Sequence, residues 1–136
     1  MIHFFDSGIT NVAASLGTPY EIETDGCIVM LEDLNEDPYM IDAHLNHLID
    51  AGKFANAAGF VFGTDVNLRG QVIPEYNEST LSIEEVLDEL IAPLGIPAVG
   101  NIPIGHGKTK VTIPLGVSAR LDATAKTLEI LEPGVS

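Results

Sequence analysis

Two unbroken apolar runs, CIVML at residues 27–31 and AAGFVFG at 57–63, limit what this chain can become. A strand with one solvated face alternates apolar and polar residues, whereas a strand covered on both faces does not. The first run ends in acids and the second lies between glycines, so both read as short strands buried on two sides. Between them Asp37 precedes Pro38, an N-cap followed by a proline at the first helical position. Ile41, Leu45, Leu48 and Ile49 then share one helical face up to about Ala51 and Gly52.

The same alternation continues on either side. Ile9–Leu16 reads as a short helix closed by Gly17. No complete βαβ unit precedes Ile9, so the chain reads as though it starts inside a fold. Ser82-Ile-Glu-Glu85 is a capping box, and Ile83, Val86, Leu87, Leu90 and Ile91 follow on one face until Pro93 and the turn LGIP. AVGNIPI, KVTIPLG and VSARLDATAKTLEILE supply three or four further strands, the last two joined by a hairpin around Asp122–Lys126. Residues 64–81 show no period and form the longest irregular stretch. The expectation is one α/β domain over residues 1–136, with a mixed sheet.

Charge narrows the partners. Six basic residues against twenty acidic ones give a net charge of −14. A surface of that sign repels nucleic acid and anionic membrane, and neither is expected as a partner. No apolar run approaches the roughly 20 residues that span a bilayer. The opening MIHFFDSGITN lacks the features of a secretory signal. The lone cysteine, Cys27, reads as a buried, inert thiol in a reducing compartment. A cytoplasmic location is expected.

For chemistry, NIPIGHGKTK (101–110) places His106 between two glycines, which leave its imidazole reachable. A histidine acting as general base needs a partner that holds its tautomer. Glu32 and Asp33 are the best placed of the acids, because they stand where the strand CIVML ends, and functional side chains gather beyond the carboxyl ends of strands. The alternative stays open at this point: His106 as an exposed loop residue and Glu32 as a solvated strand end. No serine lies in a G-x-S-x-G elbow; Ser82 has a capping role, and Ser7 alone stands beside a glycine near a helix start. The chain therefore offers a base and an orienter without a nucleophile. His44 and His47 are spaced as i and i+3, but without further ligands they read as surface or interface histidines, and no metal is expected. GHGKTK lacks the full phosphate-loop pattern.

These stretches together resemble a known family. GTPYE (17–21), VMLEDLNEDPYMID (29–42), AGKFANAAGFVFG (51–63), IEEVLDELIAPLGIP (83–97) and PIGHGKTKVTIPLGVSARLDA (103–123) are similar, in order, to the C-terminal domain of the L,D-carboxypeptidases. These serine peptidases share their family with the microcin C immunity proteins. The resemblance implies a swivelling β/β/α fold and a two-domain enzyme with a Ser-Glu-His triad. In it, an N-terminal domain, absent here, supplies the serine, while Glu32 and His106 are the glutamate and histidine. It further implies hydrolysis of the L,D bond to the terminal D-alanine of murein tetrapeptides in the cytosol, without cofactor. The chain alone is expected to be inactive. Its partners would be the serine-bearing domain and a muropeptide, with a homodimer possible through the face that the missing domain covers. Two other readings remain: an amidase acting on microcin-like aminoacyl nucleotides, and a non-catalytic binding or scaffold domain of the same fold. The sequence departs from the family pattern at Lys110, at Met40 and Ala43, at the start HFFDSGITN, and in the length of 64–81.

Overall fold

A computed structural model describes residues 2–4, 8–32, 36–63, 81–105 and 109–135. Four strands form a parallel sheet in the order in which they occur: β1 (Ile2–Phe4), β2 (Ile28–Leu31), β3 (Gly59–Gly63) and β4 (Ala98–Ile102). Three helices connect them: α1 (Gly8–Ala14), α2 (Pro38–Asp50) and α3 (Ile83–Leu90), the last followed by a 3₁₀ turn at Ala92–Leu94. Parallel neighbours need crossover connections, and each helix supplies one. A separate antiparallel pair, β5 (Ala119–Asp122) and β6 (Thr127–Ile130), completes the chain.

The two apolar runs lie in the centre of the parallel sheet and are buried throughout, at Ile28–Leu31 and Gly59–Gly63. Alternate residues serve opposite faces. Val29, Leu31, Phe60 and Phe62 join Ile9, Val12, Ile41, Leu45, Leu48, Ile83 and Val86 in the core beneath the helices. Phe60 packs edge-on to Phe54, with ring centroids 4.7 Å apart. Ile28, Met30 and Val61 face the other way, where Ala119, Leu121, Leu128 and Ile130 of the β5–β6 hairpin cover them. A hairpin layer, a parallel sheet and a helical layer follow one another, which is the β/β/α arrangement. Parallel and antiparallel pairings are both present, each in its own sheet.

Local signals explain the element ends. α2 begins with Asp37 in extended geometry and Pro38 in its first turn. Ser82 and Glu85 form the reciprocal capping box at the start of α3, with Ser82 N–H donating to Glu85 Oε2 at 2.7 Å and Glu85 N–H to Ser82 Oγ at 3.2 Å. Those bonds hold the Glu85 carboxyl below the ordinary range, the Ser82 backbone N–H contributing most. Below the sheet, Lys53 ties two loops together: its ammonium pairs with Glu21 and donates to Ile22 O, while its own carbonyl accepts from Thr24. The hairpin turn is closed by Ala125 N–H donating to Asp122 Oδ1 at 2.8 Å.

Two expectations need correction. KVTIPLG (110–116) forms no strand: Val111 N–H bonds back to Pro103 O, Pro114 has no N–H to give a ladder, and Val111 and Leu115 are about half exposed. β1, conversely, is a strand that the sequence reading did not assign. It pairs in parallel with β2, Ile2 opposite Ile28 and Phe4 opposite Met30, and so makes a βαβ unit with α1. Residues 64–80, most of the long irregular stretch, lie outside the described residues.

Candidate active site

The parallel arrangement brings the carboxyl ends of β2, β3 and β4 to one edge of the sheet. Glu32 follows the last residue of β2, Gly63 ends β3, and Ile104–Gly105 follow β4. Glu32 is 2% exposed, so it is not a solvated strand end. Thr24 and Glu32 are the buried polar residues among those described. Burying an ionisable carboxylate is costly unless its surroundings compensate, so sites that do it are seldom accidental.

Room for this side chain comes from two missing ones. A Cβ on Gly63 would stand 2.9 Å from Glu32 Cβ and 3.1 Å from Ile104 O. A Cβ on Gly105 would collide with Glu32 Oε2 and lie 3.0 Å from its Cδ. Gly105 also adopts φ +89°, which an L side chain rarely tolerates. The Glu32 side chain therefore crosses from the end of β2, over Gly63, and lays its carboxylate against the backbone of Gly105. The next residue is His106. His106, Gly107 and Lys108 lie outside the described residues, as do Asp33 and Ser7.

The sequence reading placed Glu32 and the GHG stretch at one site and read Gly105 as opening the backbone around the histidine. The structure adds that Gly105 makes space for Glu32. Gly63 was read only as a strand boundary. Its signal was a glycine ending an apolar run opposite an acid ending another, which is visible once the strands are known to be neighbours.

The remaining candidates are dispersed. His47 is exposed on α2, while His44 is half-buried with its Nε2 enclosed. Among the described residues no group of three or more His, Cys, Asp or Glu side chains converges as a metal site. Cys27 is buried, its thiol donating to Asp25 O at 3.4 Å. No helix among the described residues is long and apolar enough to cross a membrane.

Comparison with known proteins converges on one family. Residues 7–121 match the model of the LD-carboxypeptidase C-terminal domain. A Bacillus subtilis protein named "Probable murein peptide carboxypeptidase" is 38% identical over 125 residues, covering 92% of this chain and 38% of that protein. The crystal structure of muramoyltetrapeptide carboxypeptidase from Oxalobacter formigenes superposes with a TM-score of 0.76 at 27% identity, over 96% of this chain and 44% of that one. The microcin C7 self-immunity protein MccF shares the fold, with a TM-score of 0.78 at 19% identity over 99% of this chain and 38% of that one. The chain thus spans about two fifths of the length of these relatives.

Proposed function

The chain belongs to the LD-carboxypeptidase C-terminal domain family, and from that premise we propose that it contributes the glutamate and histidine of a serine peptidase active site. The observation that carries the reading is the buried Glu32 carboxylate lying against Gly105, one residue before His106. A carboxylate so placed can accept a hydrogen bond from one imidazole nitrogen of His106. That fixes the tautomer, leaves the other nitrogen as the base, and stabilises the imidazolium when the base is protonated.

The nucleophile in this reading is a serine from the N-terminal domain. His106 takes its proton as it attacks the scissile carbonyl and returns that proton to the leaving amine. The substrate is a murein tetrapeptide, cleaved at the L,D bond to its terminal D-alanine, and the reaction is cytosolic. Acyl transfer through a serine calls for no metal or organic cofactor. The muropeptide reading rests on the relatives, one named for murein peptides and one for muramoyltetrapeptides.

The test joins the chain, fused or mixed, to the serine-bearing domain of a relative and measures D-alanine release from the tetrapeptide. The chain alone releases none. The joined protein does, and Glu32→Gln lowers kcat by roughly 10⁴-fold and His106→Ala by roughly 10⁶-fold, the losses that follow removal of the tautomer-setting carboxylate and of the base. Release by the isolated chain, or undiminished release in the His106→Ala protein, would overturn the proposal.

A further inference from the structure

Acids avoid one stretch of this chain. It carries twenty, yet none falls between Glu89 and Asp122, a span that holds Lys108, Lys110 and Arg120, three of the six bases. A chain of net charge −14 thus keeps one cationic segment, and His106 lies within it. The fold gives that segment a place. Val111 N–H donates to Pro103 O at 2.9 Å, which brings Lys110 back beside the strand end that leads to Gly105 and the Glu32 carboxylate. Ile113 packs on the cluster of Met30, Val61 and Ile104, so the chain after Lys110 follows the hairpin side of the sheet.

The described bases are not equivalent. Lys53 pairs with Glu21 and Arg120 with Glu129, while Lys126 belongs to the hairpin turn. Lys110 is exposed, and its side chain has no ion pair or hydrogen bond among the described residues. Acids take the other side of the same edge. Glu36 and Asp37 lead into α2 just after β2 ends, and Glu84 at the start of α3 lines a cleft with Gly63 at the end of β3. A peptide lying across this edge therefore meets negative charge on the helix side and Lys110 on the hairpin side. The substrate of a carboxypeptidase bears a free carboxylate on the same residue as the scissile nitrogen. An anion so close to the reacting bond needs a cation that no acid of the chain has already taken.

We infer that Lys110 is a specificity-determining residue that receives the free terminal carboxylate of the substrate, so that peptides ending in a carboxylate are preferred over their amides. The ammonium forms a charge-assisted hydrogen bond with that carboxylate and thereby holds the terminal residue with its scissile bond toward His106. The acids on the helix side reinforce the direction, because they disfavour the reversed peptide. The inference rests on the hydrolytic reading above, since it names what one end of that substrate meets.

The experiment uses the chain joined to the serine-bearing domain of a relative, with two ligands: the tetrapeptide and the same tetrapeptide with its terminal carboxylate amidated. Turnover gives kcat and KM, and calorimetry on the joined protein carrying His106→Ala gives Kd without turnover. Amidation is expected to raise KM and Kd by roughly tenfold, the worth of a hydrogen bond to a charged group. Lys110→Gln raises KM for the tetrapeptide by a similar factor, changes kcat by less than about twofold, and leaves the amide unaffected, so the discrimination disappears. Lys110→Arg keeps the charge and retains the discrimination. Equal weakening of both ligands by Lys110→Gln would show a merely structural role and overturn the inference, as would full discrimination in that variant. Absence of turnover in every joined protein would sink the hydrolytic reading alone, because the calorimetric comparison still decides the role of Lys110.

Discussion

At the scale of single residues, the site turns on two side chains that are not there. Gly105 leaves the space that the Glu32 carboxylate fills, and its φ of +89° disfavours any replacement. Gly105→Ala is therefore expected to lower unfolding stability by about 1–3 kcal/mol, measured by urea denaturation. Part of that cost is backbone strain and part is collision with Glu32, and a double-mutant cycle separates them. In a Glu32→Ala background the collision disappears, so Gly105→Ala should cost about 1 kcal/mol less there. Additive losses would show that the carboxylate does not lie against Gly105. That Glu32 belongs to a site was legible in the sequence, because it stands where the strand CIVML ends, and the structure sets it against Gly105. The fit itself was not, since nothing in the linear order says that the ends of β2 and β3 and the turn after β4 meet within a side chain's width.

Among the elements, local chemistry was the reliable guide. The Ser82–Glu85 box and the Asp37–Pro38 start are written in consecutive residues and appear as α3 and α2. β1 escaped because three residues carry no period, and its placement depends on β2 beside it. KVTIPLG misled because apolar content was taken for a strand, although Pro114 and the turn back to Pro103 deny it a ladder. The cap also makes a checkable statement. Ser82→Ala should cost about 1 kcal/mol, seen as a fall of a few degrees in Tm. Glu85 adds a pH dependence of definite sign. Its folded pKa lies below the ordinary 4.5, so its contribution is complete above that value and is lost as the pH falls through the folded pKa. The Tm difference between the wild type and Glu85→Gln should thus be constant from pH 7 to about 5 and shrink below pH 4. A gap that widens on acidification would show that the carboxylate is not the stabilised form.

The molecule as a whole is a sheet covered on both faces, and its energetics set that core against its charge. Helices cover one face and the hairpin the other, so an apolar face is not left to solvent at the centre of the sheet. Twenty acids and six bases nevertheless leave this chain with a net charge of −14. The ion pairs among the described residues, the half-buried Lys53–Glu21 and the exposed Arg120–Glu129, offset little of this, because they are two against many unpaired acids and an exposed pair contributes about 0–1 kcal/mol. Added salt weakens those pairs and also screens the repulsion among the remaining acids. The two effects oppose each other, and at −14 the repulsion is the larger. Raising sodium chloride from 0.01 to 0.15 M shortens the screening length from about 30 Å to about 8 Å, less than the width of the domain. The Tm at pH 7 should accordingly rise by a few degrees over that range and then level off, because screening is nearly complete once that length is shorter than the spacing of the charges. A Tm that falls with salt would mean that attractive pairs dominate. A rise continuing linearly into molar salt would point instead to general strengthening of apolar burial.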